Sequence, residues 1–207
     1  MEWQATFTRT SSPEPGSWPD LGPTEALIGS FDFDGPDFAG SVRAGPGGHY
    51  SPAAYVRIGG ATFASFSGPN WWRPMDQWPT GRVPGVLDPL RGLTTAQIAY
   101  EAADSLDGGA VLRLRVSDAL ATLEQRIWQV MSLNPDLSIS PGGRSDFIVY
   151  VDTKGIPLAA HVVLDVVYQR SPETPGVTST MEFDYQYSHW GEPVTISPPQ
   201  VSGAPGG

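Results

Sequence analysis

The sequence predicts an α+β domain dominated by antiparallel sheet, with about nine to eleven strands against one good helix and one or two short ones. Three observations predict it. Apolar and polar residues alternate with period two in stretch after stretch, whereas a three- to four-residue period is convincing only over 118–131. Gly 24 and Pro 21 among 207 residues punctuate the chain at short intervals, which suits strands joined by turns. No internal repeat or linker divides the chain, so 1–207 reads as a single domain with 199–207 as a flexible tail.

Trp3, Ala5 and Phe7 alternate with Gln4, Thr6 and Thr8 as a first strand. After a Ser/Pro/Gly-rich loop (11–24), residues 25–34 form a strand with Leu27, Gly29, Phe31 and Phe33 on one side. Gly35-Pro36 turns the chain, and Phe38 to Arg43 returns as the partner. "AAYVRIGGATFASFSG" (53–68) is a hairpin about Gly59-Gly60. "PNWWRPMDQWPTGRVPG" (69–85), with three tryptophans and four prolines, fits neither period and reads as a long ordered loop. "DPLRGL" (88–93) offers one helical turn.

"TAQIAYEAADSL" and "AVLRLRVS" flank Asp107-Gly108-Gly109 as a further hairpin, in which Leu112, Leu114 and Val116 oppose Arg113 and Arg115. The helix follows: Ser117 or Asp118 caps it, Leu120, Leu123, Ile127, Val130 and Met131 make its stripe, and Asn134-Pro135 stops it. After a Gly-rich turn, "DFIVYVD" and "LAAHVVLDVVYQ" are strands separated by Thr153-Lys154-Gly155. In the closing strand Met181, Phe183, Tyr185 and Tyr187 alternate with Glu182, Asp184 and Gln186. A corner at His189 to Pro193, a short strand from Val194 to Ile196 and a double proline end the pattern.

Charge and composition exclude several functions. Twelve basic against 22 acidic residues give a net charge of −10, without the clustered cations that displace counterions from a duplex, so no nucleic-acid partner is expected. There are no cysteines, which excludes disulfides, thiolate metal sites and Cys nucleophiles. No apolar run is long enough to span a bilayer as a helix, and Met1-Glu2-Trp3-Gln4 does not open a secretion signal. Either the protein is cytosolic or its export segment is missing from this chain.

The strand-to-helix imbalance has a physical consequence. A helix of about 14 residues is about 21 Å long, too short to cover the apolar face of so many strands. Either the sheet curls on itself or an apolar hollow remains for a guest, and the hollow is the expectation adopted.

"VYVDTKGIPLAAHVVLDV", the closing "FDYQYSHWGEPVTISPP" and "YVRIGGATFASFSGPNWWRP" together resemble the LolA-like superfamily, and most closely the actinobacterial LppX/LprA/LprF/LprG cell-envelope lipoproteins. The shared features are a VD-x-x-G-x-P hairpin, an aromatic…G-x-P-V-x-I-x-x-P ending and a Gly-Gly hairpin followed by tryptophan, in the same order, over about residues 25–199. The resemblance implies a strongly curved half-barrel with one to three helices across its concave side and a cavity for acyl chains. It also implies that the last strand completes one edge of the sheet, with Gly191-Glu192-Pro193 turning the chain along that edge. Members are exported to the extracytoplasmic cell envelope and anchored through a lipidated N-terminal cysteine; this sequence departs there, having neither lipobox nor cysteine.

Other chemistry reads weakly. His161 has Val163 and Asp165 as its same-face neighbours along the strand, too widely spaced for a metal pair; His49 lies in a Gly-Pro loop and His189 beside Trp190. "DFDGPD" (32–37) has alternating carboxylates but lacks the length and far-end glutamate of a calcium loop, and a hairpin turn explains the same letters. No nucleophile elbow, P-loop or dinucleotide fingerprint is present. No catalysis, cofactor or metal is expected.

The function expected is that of a monomeric, non-enzymatic carrier of acylated lipid or glycolipid, working at a membrane surface transiently or through an N-terminal lipid anchor absent from this chain. Its lining is expected from Leu112, Leu114, Val116, Phe147, Val149, Val151, Val162, Leu164, Phe183 and Tyr185, covered from the helix by Leu120, Leu123, Ile127 and Val130. Trp71, Trp72 and Trp78 would plug the mouth or contact the membrane. The alternative is an interaction or sensor ectodomain of the same fold with a filled interior.

Overall fold

The computed structural model describes residues 2–9, 24–35, 37–44, 53–65, 73–74, 89–90, 93–117, 138–169, 173 and 176–200. Its strands are β1 (Glu2–Arg9), β2 (Thr24–Asp34), β3 (Asp37–Ala44), β4 (Ala53–Ile58), β5 (Ala61–Ser65), β6 (Arg73–Pro74), β7 (Ile98–Leu106), β8 (Gly109–Val116), β9 (Ser138–Val151), β10 (Pro157–Gln169) and β11 (Val177–Gln186). They form one antiparallel sheet in the order β6-β5-β4-β3-β2-β1-β11-β10-β9-β8-β7. One meander (β1 to β6) runs out to one edge, and a second (β7 to β11) runs in from the other. The β1–β11 ladder, from Glu2 opposite Gln186 to Arg9 opposite Ser179, joins them. Among the described residues β6 and β7 each pair on one side only, so the sheet is not closed into a barrel.

The tight turns sit where glycine removes the steric cost of left-handed backbone. Gly59 (φ 56) and Gly60 (φ 88) form the two-residue link between β4 and β5, and Asp107 (φ 50) and Gly108 (φ 79) the link between β7 and β8. Between β9 and β10, Asp152 Oδ1 accepts the N–H groups of Lys154 and Ile156, each at 2.8 Å. This local bonding holds the turn in place.

Period-two alternation becomes a two-faced sheet. One face gathers Phe31, Phe38, Val42, Val116, Phe147, Val149, Val151, Ala160, Val162, Leu164, Met181, Phe183, Tyr185 and Tyr187 into one buried cluster, against which Phe33, Tyr55, Leu90, Leu93, Leu112 and Leu114 pack. Each fully buried Phe, Leu or Val contributes about 1.5–3 kcal/mol. On the opposite face Glu101 meets Arg113 Nε at 2.9 Å and Arg115 at 2.8 Å, and Arg115 also reaches Asp146 at 2.9 Å. Hydrogen bonds to Glu101, and then to Asp146, raise the Arg115 pKa above its ordinary value.

Several expectations are corrected. The described residues are all-β, not an α+β half-barrel with one to three helices across a concave side. Their only helical element is the 3-10 turn Thr95–Gln97. Of the helical turn expected over 88–93, Pro89 and Leu90 lie in a turn and Leu93 N–H donates to Leu90 O at 3.2 Å, while residues 88, 91 and 92 lie outside the described residues. The amphipathic segment 118–131 lies outside the described residues.

The Gly-rich stretch before Asp146, expected as a turn, extends β9 back to Ser138. Over this stretch, among the described residues, β9 pairs with β10 but not with β8, so no partner there needs the N–H that Pro141 lacks. Val194 to Ile196 is not a strand. Nor does β11 complete an edge: β1 takes its second side, so β11 lies in the interior of the sheet.

Candidate binding site on the apolar face

The ten strand residues expected to line a cavity converge on one face. Val116, Phe147, Val149, Val151, Val162, Leu164, Phe183 and Tyr185 belong to the buried cluster, with Leu112 and Leu114 packed against it. Register explains the convergence. Directly paired residues share a face: Leu114, Val149, Ala160 and Tyr185 form one row of partners from β8 to β11, and Gly29 and Val42 are paired in β2 and β3. Leu120, Leu123, Ile127, Val130, Trp71, Trp72 and Trp78 lie outside the described residues.

Along β11 the rings stack at two-residue spacing, Phe183 on Tyr185 with centroids 6.1 Å apart and Tyr185 on Tyr187 at 6.4 Å. Trp190 continues the series 5.8 Å from Tyr187, held by its Nε1–H donating to Pro157 O at 2.7 Å. The corner that allows this uses left-handed backbone at His189 (φ 58) and Gly191 (φ 77). A cavity of about 420 Å³ opens at this end of the aromatic row. Phe33, Tyr187, Trp190, Pro193 and Val194 supply its apolar wall, and Asp32, Ser188, His189 and Glu192 its polar one. Its size falls in the range of small-molecule sites, roughly 300–1,000 Å³.

His189 Nδ1 lies 2.9 Å from Ser188 Oγ, but no carboxylate bonds to His189 among the described residues. The stretch 32–37 is the β2–β3 turn, with Asp34 opposite Asp37, and Asp37 Oδ1 accepts Gly59 N–H at 3.1 Å.

Two arrangements escape a reading of the sequence alone. On the polar face, β11 places Asp184 directly opposite His161, with Glu182 diagonal to it. His161 Nδ1 lies 2.7 Å from Asp184 Oδ1, and Nε2 lies 3.7 Å from Glu182 Oε1. These three could hold a divalent ion; as they stand they form a half-exposed cross-strand polar cluster. The second is Arg57, which alternates with Val56 and Ile58 and so reads as outward-facing. Its partner in β3 is Phe38, however, which puts Arg57 on the apolar face, 3% exposed. Only strand pairing reveals either arrangement.

Among the described residues no helix is long and apolar enough to cross a membrane. No protein-family model matches the chain, and no curated protein matches it.

Proposed function

We propose that this protein is a non-enzymatic carrier of acylated lipid or glycolipid in the bacterial cell envelope, acting as a monomer and built on the apolar face of the sheet. Kinship with the LppX/LprA/LprF/LprG lipoproteins, export, and anchoring or transient contact with a membrane are parts of the same proposal. The observation that carries it is the apolar cluster gathered on one face of the sheet. The cavity at Tyr187 and Trp190 extends this surface to the rim and supplies an entrance.

The energetics suit a carrier. Burying an acyl chain of about 16 carbons is worth on the order of 12 kcal/mol at about 0.8 per methylene. A bilayer offers nearly the same gain, so loading and release balance without an energy source. The second reading is an interaction or sensor module of the same sheet with a filled interior; the 0–5% exposure of Phe147, Val149, Val151, Val162, Leu164, Phe183 and Tyr185 favours it. Native mass spectrometry of the purified protein, followed by organic extraction, separates the two. The carrier yields a co-purifying acylated molecule. Repeated apo spectra, with no uptake of radiolabelled palmitoyl lipids, would leave the module.

A further inference from the structure

We infer that the cavity at the end of the aromatic row is a site for an organic ammonium ion, with a methylated ammonium as the best-fitting guest. The inference goes beyond the carrier reading and does not depend on it. The cavity, about 420 Å³ in volume, joins two kinds of wall. Phe33, Tyr187 and Trp190 bring aromatic surface to it, Asp32 and Glu192 bring carboxylates, and no lysine or arginine is among its lining residues. Trp190 is 51% exposed, although its indole N–H is tied to Pro157 O at 2.7 Å and its ring lies 5.8 Å from that of Tyr187. A large ring is thereby fixed in place and left open to solvent. The corner that presents it combines left-handed backbone at His189 and Gly191 with Glu192 N–H donating to His189 O at 3.2 Å.

Both walls select the same guest. The face of an aromatic ring carries negative potential and attracts a cation placed over it, tryptophan most strongly. The carboxylates supply opposite charge directly, and a net charge of −10 adds a field of the same sign. A small divalent metal ion demands oxygen ligands and takes nothing from the rings. A neutral guest packs on the rings and gains nothing from the carboxylates. An alkylated ammonium uses both walls, because its methyl groups carry the charge on an apolar surface that packs against indole and phenol rings. The cavity has room for such a group.

The test titrates the full chain with choline and with 3,3-dimethylbutan-1-ol, its neutral isostere with carbon in place of nitrogen. Backbone amide shifts of residues 188–192 are followed by NMR in physiological salt at about pH 8, above the ordinary imidazole range because His189 also lines the cavity. Choline is expected to bind about tenfold or more tighter than the isostere. Joint replacement Asp32→Asn and Glu192→Gln is expected to bring that ratio close to one while isostere binding stays unchanged; both side chains are exposed, so the fold tolerates the change. Trp190→Leu is expected to weaken choline by about tenfold. Should Trp190→Leu disturb the corner, seen as amide shifts in the free protein, the charge variant alone decides. Equal binding of the two probes, no binding of choline, or a charge variant that keeps the preference overturns the inference. Neither probe carries an acyl chain, so each of these results leaves the carrier reading standing.

Discussion

Gly40→Ala tests the packing of the aromatic end of the core at a single methyl group. Gly40 lies in β3 opposite Phe31, and the ring of Phe31 occupies the space a side chain at Gly40 would fill. A β-carbon there would meet Ser30 O and Phe31 Cδ1, and would stand 2.6 Å from Phe31 Cγ. Two carbons pack comfortably at about 3.5–4.0 Å, so the ring must retreat by about 1 Å. It has little room: Phe31 is 1% exposed, with the rings of Phe38, Phe33 and Tyr55 at 6.1, 6.4 and 6.4 Å. Overpacking of this kind costs about 1–3 kcal/mol, against a gain of roughly 0.5–1 kcal/mol from replacing glycine inside a strand. The net expectation is a loss of about 1–2 kcal/mol, read from urea unfolding with an unchanged slope. Phe31→Leu in the Gly40→Ala background should couple favourably by about 0.5–3 kcal/mol, with incomplete recovery because Ser30 O is backbone. Equal or higher stability of Gly40→Ala alone would refute the placement of the ring.

The remaining predictions concern the centre, a turn and the polar face. Phe183, fully buried opposite Val162, should cost about 3–5 kcal/mol as Phe183→Ala and much less as Phe183→Leu in the same titration. Asp152→Ala removes the acceptor of two backbone N–H groups. It should lower stability by about 2 kcal/mol and speed hydrogen exchange at Lys154 and Ile156 before the rest of β10. Glu101→Gln should leave the melting temperature essentially unchanged, since its arginine partners lie on a solvated surface where screening makes ion pairs weak.

What could be read from the sequence follows from what sets each feature. The hairpins at Gly59-Gly60, Asp107-Gly108 and Thr153-Lys154-Gly155 are local, fixed by residues that tolerate positive φ, and the structure places turns at all three. Alternation likewise assigns the faces of β8 to β11, because each strand carries its own contrast. Neighbour relations are not local. Nothing in "EWQATFTR" announces that it pairs with β11; the edge position expected for the last strand came from the family resemblance, and the ladder with β1 overturns it. Arg57 shows the same gap in the candidate site: within β4, Val56 and Ile58 look like the inward pair, and only the partner Phe38 reverses the assignment. The helical expectation over 88–93 falls partly outside the described residues. That over 118–131 falls outside the described residues.

The ladder between β1 and β11 has a consequence for biosynthesis. β1 is made long before its neighbour β11, so the side of β1 that faces away from β2 stays unsatisfied until Val177–Gln186 emerges. Closing so long a chain segment is slow. The waiting edge is also a template for a second nascent copy. The sheet is therefore completed only once β11 has emerged, and a ribosome stalled before residue 177 would hold a chain ready to aggregate.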